Sequence, residues 1–280
     1  MRELIEPADH PARLKAVQAT RSSFPERFRR EEDARDYLRS VILPPSLRWA
    51  YVLNGKSASS TLLRFLFRVE FGSELTVAFD SNWDINPAAL VHQLYDRNVF
   101  HRAVWIPLSA GELLERPDLL RIALVRHPLA RAISAFRYFC RSNELRHGFF
   151  LEDRLRINAM TGFDWHRMPY TEAGMLSFLD YIEADQSRFG SARVNHHWRL
   201  QADNVYPEIF RPTHLGKVET LDSFLRELWE RLVPAGEALP EGLVSENRQP
   251  ANPTGVLDTQ AVRRRVETIY ARDFEAFGYG

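Results

Sequence analysis

The sequence predicts an α/β fold with a central, mainly parallel sheet flanked by helices. Three observations carry that prediction. Two short apolar runs, Leu47 to Leu53 and Leu119 to Val125, are rich in the aromatic and branched residues of buried strands. Each runs into a turn and then a helical pattern, Ser59 to Glu70 after the first and a stretch opening at Pro128 after the second. Strands that alternate with helices in this way tend to pair in parallel beneath those helices.

The elements follow in order. Residues 9 to 42 are mostly charged, with an apolar position every three or four residues, and read as one or two peripheral helices stopped by Pro44-Pro45. Residues 1 to 47 thus form a peripheral helical segment. After the strand at Leu47 to Leu53, Gly55 permits a tight turn, and the helix from Ser59 turns Leu62, Leu63, Leu66 and Phe67 inward. Asn86-Pro87 opens a helical stretch through Asp96, and Val99 to Pro107 is strand-like. Pro128 suits the first position of a helix, where its missing N–H costs nothing.

Residues 141 to 215 carry many Arg, His and aromatic residues with little strand alternation and read as a helical and loop-rich layer on the substrate side. Leu215 to Val218 is a last strand or a turn. Ser223 to Leu232 is a helix with an apolar stripe, 234 to 257 a long Gly-, Pro- and Asn-rich loop, and Asp258 to Phe277 a charged helix ending near Gly278. No repeat, low-complexity tract or linker divides the chain, so residues 1 to 280 read as one domain.

A chain of 280 residues is long enough to bury one large core. Lys plus Arg and Asp plus Glu balance at 37 each, which gives no reason to expect a nucleic-acid partner. The N-terminus lacks a signal-peptide pattern, and no apolar run approaches the roughly 20 residues of a membrane span. With a single cysteine, Cys140, this points to a cytoplasmic protein without a disulfide framework. Cys140 reads as a core or helix-surface thiol.

The two strand-to-helix junctions carry the chemistry. At the first, Asn54-Gly55-Lys56-Ser57-Ala58-Ser59-Ser60-Thr61, a helix start offers unpaired N–H groups, Lys56 a mobile cation, and four hydroxyls surround the same volume. That set suits a phosphate or sulfonate. The competing reading is a polar turn whose serines cap the helix while Lys56 is solvated. The pattern is not a Walker A loop, because the upstream Gly is missing. At the second junction, Arg126 leaves the carboxyl end of a strand, where open α/β sheets meet ligands, and can grip an anion while Ser134 supplies a hydroxyl. Arg131 reads as a solvent-facing helix residue.

These residues resemble the sulfotransferases that use 3′-phosphoadenosine 5′-phosphosulfate (PAPS), in particular their carbohydrate branch. Lys56-Ser57-Ala58-Ser59-Ser60-Thr61 is similar to that family's 5′-phosphosulfate loop, and Arg126-His127-Pro128 with Arg131 and Ser134 to its 3′-phosphate motif. The likeness continues through His197-Trp198-Arg199-Leu200-Gln201, Gly216 to Leu221, Tyr270 and Asp273 to Tyr279. The resemblance implies a P-loop-like three-layer fold. It implies that Lys56 serves the reacting end, with Ser57, Ala58, Ser59, Ser60 and Thr61 around it, and that Arg126 and Ser134 hold the 3′-phosphate. A hydroxyl of a saccharide or glycoconjugate would take the sulfo group by in-line displacement, leaving adenosine 3′,5′-bisphosphate (PAP), with no metal required.

His101 resembles the base histidine of uronyl 2-O-sulfotransferases, and its near-neutral proton affinity suits that role. Glu70, Glu74 and His92 are competitors. His196-His197 lacks metal-ligand spacing and reads as a substrate-side loop. Trp165-His166-Arg167 and His197-Trp198-Arg199 could bind a sugar or serve as core. Asp273 is placed to cap or pair. A P-loop-like kinase and a noncatalytic nucleotide- or glycan-binding module are the alternatives.

Overall fold

The computed structural model describes residues 8–78, 85, 86, 88, 90–191, 194–240 and 256–279. The N-terminal heptapeptide, Pro87 and most of the loop expected at 234–257 lie outside the described residues. Helices α1 (His10–Ser23) and α2 (Glu31–Ser40) lead into β1 (Val41–Leu43) and β2 (Trp49–Val52). Then come α3 (Ser59–Phe71), α4 (Leu90–Asp96), β3 (His101–Arg102), α5 (Ala110–Glu115), β4 (Leu120–Val125) and α6 (Pro128–Glu144). The remainder is α7 (Leu151–Thr161), α8 (Glu172–Phe189), α9 (Ala202–Val205), α10 (Pro207–Phe210), β5 (His214–Lys217), α11 (Leu221–Leu232), α12 (Gln260–Ile269) and α13 (Ala271–Phe277).

The five strands form one sheet in the order β3-β1-β2-β4-β5. β2, β4 and β5 are parallel, as the alternation of strands and helices predicts. β1 runs antiparallel to both β2 and β3, so the sheet is mixed rather than mainly parallel. The cause is local. Leu43 to Trp49 is too short for a crossover, and a strand that returns through so few residues pairs antiparallel. Val41–Leu43 also corrects the helical reading of residues up to 42, since these three fully buried residues sit inside the sheet. Only His101–Arg102 of the expected Val99 to Pro107 strand is extended, and a 3-10 turn at Ala103–Trp105 follows.

Alternation along the strands divides the core between two faces. Val41, Leu43, Ala50 and Val52 pack with α1, α2 and α5, while Ile42, Trp49 and Tyr51 pack under α3 and α11. A third cluster joins α6, α7, α8 and α12 around Phe136, Phe139, Phe178 and Trp198, so the region from 141 onward has a helical core of its own. Cys140 belongs to it, and burial pushes its thiol up to about 12, which keeps it protonated. The expected apolar stripe of α11 is buried as well. Among the described residues, no helix is long and apolar enough to cross a membrane.

Candidate active site

Both junctions lie beyond the carboxyl ends of neighbouring parallel strands, β2 and β4. The first is a loop of unusual backbone. Lys56 and Ala58 both adopt the left-handed conformation, with φ of 64° and 55°. Alternation of this kind turns successive N–H groups toward one concavity, the arrangement that receives anions. α3 begins directly after Ala58, whose methyl side chain cannot cap it. The positive ends of thirteen aligned peptide dipoles therefore face this turn.

The serines do not all serve as sequence suggested. Ser57 is fully buried and donates to Gln201 Oε1 at 3.2 Å, so its hydroxyl faces the protein. Ser59 donates to the Asn54 carbonyl at 2.7 Å and accepts from the Tyr51 hydroxyl at 2.9 Å. Those two hydroxyls shape the loop, and neither caps the helix. Ser60 is half-buried and accepts from Asn86 Nδ2 at 3.4 Å; the Thr61 side chain is buried.

At the second junction, Arg126 is half-buried and its guanidinium lies 3.4 Å from the Lys56 carbonyl, so the two motifs meet. Arg131 corrects the expectation of a solvent-facing side chain. It is 1% exposed and donates to the carbonyls of Gly55 at 2.8 Å, Arg199 at 2.7 Å and His196 at 3.1 Å. Its planar fork of five donors clamps the Lys56 loop to the 196–199 loop. Ser134 is half-buried and shares a helix face with Arg131 and Tyr138, by spacings of three and four residues. The Lys56 ammonium stands 3.7 Å above the Tyr138 ring.

Gln201 is the residue that sequence reasoning left without a role. It is fully buried, and its Oε1 accepts from Asn54 Nδ2 at 3.0 Å, Ser57 Oγ and the Arg126 N–H at 2.9 Å. Its Nε2 returns a bond to the Arg126 carbonyl at 2.8 Å. One amide therefore ties both junctions together. Asp273 holds this hub in place by accepting from the N–H groups of Gln201 at 2.8 Å and Ala202 at 2.9 Å. Tyr270 donates to the Trp198 carbonyl at 2.7 Å, and Glu219 accepts from the His127 N–H at 2.8 Å and the Tyr279 hydroxyl at 3.0 Å. The signal for Gln201 was its place in the quoted His197-to-Gln201 segment; its partners lie far away in sequence.

The structure does not bring His101 to this site. On β3 it pairs with Leu43 of β1 and so shares the face that packs on α1, α2 and α5, opposite the face under α3. The ring is fully buried and neither nitrogen has a hydrogen-bond partner, so no acceptor hydroxyl can reach it. Glu70 is also remote. It lies eleven residues along α3 from Ser59, about 16 Å at 1.5 Å per residue, and accepts from Ser46 N–H at 3.2 Å and Ser46 Oγ at 2.8 Å. Glu74 is exposed and lies past the far end of α3.

His92 stacks against Tyr95 at 5.9 Å between centroids and is within electrostatic reach of His196 and His197. His197 stands beside the Lys56 loop. A Cβ on Gly55 would lie 3.1 Å from the His197 Cα, so glycine there lets the two backbones touch. Its ring is enclosed by Phe150 at 4.9 Å and by Tyr138 and Phe149 at 5.7 Å each. Trp198 is fully buried and Trp165 packs on Phe139 and Phe163, so these two tryptophans serve the core.

A family model described as the sulfotransferase family matches residues 49–280. The chain belongs to the sulfotransferase family. No curated protein and no solved structure matches it. The matched span includes both junctions, the 196–201 loop and the C-terminal helices, the parts that Gln201 and Arg131 bind together. Membership brings with it sulfo transfer from PAPS and the capacity to bind that donor. It also decides between the reaction classes, since a kinase is not what this family is.

Proposed function

We propose that this sulfotransferase moves the sulfo group of PAPS to a hydroxyl of a carbohydrate or glycoconjugate, in the cytoplasm. The observation that carries the acceptor class is the ring cluster beside Lys56. Tyr138, Phe149, Phe150 and His197 surround one another with centroids 4.4–6.0 Å apart, and Tyr138, Phe149 and His197 keep part of their surface exposed. Aromatic faces bordered by imidazole and ammonium donors match the apolar faces and hydroxyl rims of a sugar ring.

On this reading, the strand, turn and helix at 49–71 form a P-loop-like cradle. The donor fits it. The left-handed backbone at Lys56 and Ala58 and the α3 start receive the 5′ end, with Ser60 and Thr61 nearby. Ser57 and Ser59 hold the loop from behind. Arg126 and Ser134 take the 3′-phosphate, and Arg131 fixes the loop that presents Lys56. The donor supplies an activated sulfo group whose departure leaves negative charge on a phosphate oxygen. Lys56 and the α3 N–H groups neutralise charge developing there.

Mass spectrometry of an acceptor panel of saccharides, glycolipids, phenols and amines, incubated with PAPS, tests the acceptor class. An added sulfo group on a saccharide hydroxyl is the expected result. Sulfation confined to phenols or amines would reject the carbohydrate reading.

A further inference from the structure

We propose that His197 is the catalytic base, held in the competent tautomer by Asn195 and Asp153. The inference rests on the sulfo-transfer reading above and replaces His101 as the group that takes the acceptor's proton.

The tautomer follows from one donor and one acceptor whose roles are fixed. The Asn195 side chain meets Asp153 Oδ2 at 3.1 Å at one end. At the other end it meets the His197 backbone N–H at 3.2 Å and the His197 Nδ1 at 2.9 Å. A backbone N–H can only donate, and a carboxylate oxygen favours a donor, so the amide has one workable orientation. Its NH₂ faces Asp153 and its oxygen faces His197. An oxygen 2.9 Å from Nδ1 then requires the proton to be on Nδ1. The lone pair is left on Nε2.

The relay is anchored behind. Tyr181 donates to the other Asp153 oxygen at 2.7 Å, and the Tyr181 side chain is fully buried between α7 and α8. Asp153 therefore sits against a rigid helix pair, and through Asn195 it sets the orientation of the imidazole. The backbone contact with Gly55 and the shared Tyr138 ring hold His197 next to Lys56, the reacting end of the donor cradle. Burial, with His196 and Lys56 nearby, holds the His197 imidazole below its usual range. That direction favours the neutral imidazole, which has a lone pair to accept a proton, at the expense of basicity.

In the step so assigned, the acceptor oxygen forms the new bond to sulfur. The sulfur–oxygen bond to the 5′-phosphate breaks, and that oxygen keeps the electron pair. The hydroxyl proton passes to Nε2, and the charged imidazolium keeps its Nδ1–H bond to Asn195. Asn195 and Asp153 are positioning residues, since neither touches the reacting atoms.

Two measurements test this. The first needs no donor or acceptor: ¹⁵N NMR of the imidazoles in the purified protein. The Nδ1–H tautomer is expected for His197 in the wild type, with mixed tautomers in Asn195→Ala. An Nε2–H tautomer in the wild type would overturn the proposal. The second compares His197→Gln with the wild type on whichever acceptor the panel shows to be sulfated. Turnover should fall by about 100-fold or more while PAP affinity stays within about threefold, in line with the usual contribution of a general base. Turnover within fivefold of wild type, or an equal loss confined to His92→Ala, would remove His197 from the role. A non-sugar acceptor would reject the carbohydrate reading and leave the base assignment to be tested on that acceptor.

Discussion

Replacing Arg131 with methionine should destabilise the fold more than any change at Arg126, although the two arginines stand in one motif. Arg131 is 1% exposed and binds three carbonyls, of Gly55, Arg199 and His196. Methionine fills comparable volume but supplies no donor, so three buried acceptors lose their partner. A hydrogen bond to a charged group contributes about 1.5–3 kcal/mol net. The three together do not sum in full, because the guanidinium's own desolvation cost disappears with it. Asp273, buried nearby, also loses the cation that offsets its charge. Removing one member of a buried charged network costs about 3–5 kcal/mol, which for a chain of this size corresponds to a fall in Tm of about 5–9 °C.

Thermal unfolding followed by fluorescence, with PAP titration by calorimetry, checks this directly. Arg131→Lys should fall between, since one ammonium cannot span carbonyls presented by two loops. Arg126→Met should shift Tm by less than about 3 °C and weaken PAP binding by about 10- to 100-fold, the equivalent of one or two charge-assisted contacts. If Arg131→Met melts within about 2 °C of wild type, the clamp contributes nothing, and the division of labour between the arginines is wrong.

Four further outcomes are expected. Lys56→Ala should lower turnover by about 100- to 1,000-fold, as loss of a charge-stabilising donor does, with little effect on folding; turnover within fivefold of wild type would refute it. Lys56→Gly should lose turnover equally but melt higher than Lys56→Ala, because φ of 64° costs an L-residue about 1 kcal/mol; a lower Tm for the glycine variant contradicts the strain. Gly55→Ala places a methyl 2.9 Å from the His196 carbonyl oxygen and should cost about 1–3 kcal/mol in denaturant titration, since backbone must shift to admit it. Burial lowers the His101 affinity for protons, so the unfolded chain binds more protons than the folded one below about pH 6.5. Its share of stability is therefore present above that pH and lost as pH falls; urea midpoints from pH 7.5 to 5 should drop less steeply in His101→Leu, and parallel curves would refute this.

Sequence showed the parts of this fold that depend on local order. β2, β4 and the helices after them were legible because an apolar run, a turn and an amphipathic stretch lie end to end. Lys56 and Arg126 were legible for the same reason, since a residue just past a buried strand must leave the sheet at its carboxyl end. β1 was not, because three aliphatic residues after a charged helix look like that helix's last turn until a partner strand is present. Arg131 was misread because helical periodicity counts any arginine as outward, and only the carbonyls of residues 55, 196 and 199 make the interior acceptable for it. His101 was misread because a short strand-like segment does not say which face a side chain takes. Its pairing with Leu43 decides that.

The motifs also divide differently in space than in sequence. Ser57 and Ser59 belong to the anion loop by order, yet their hydroxyls hold its shape, while Gln201 lies far down the chain and sets its position. Because Gln201 Oε1 accepts from Asn54, Ser57 and the Arg126 N–H at once, neither junction can shift without breaking a bond to the other. A donor with phosphates at both ends needs that fixed spacing, since preorganised groups lose little freedom when it binds. On the proposed reading, the buried amide is thus how the Lys56 loop and the Arg126 strand end come to act on one donor molecule. Arg131 extends the same rigid frame to the 196–199 loop, which puts His197 under the same positional control as Lys56.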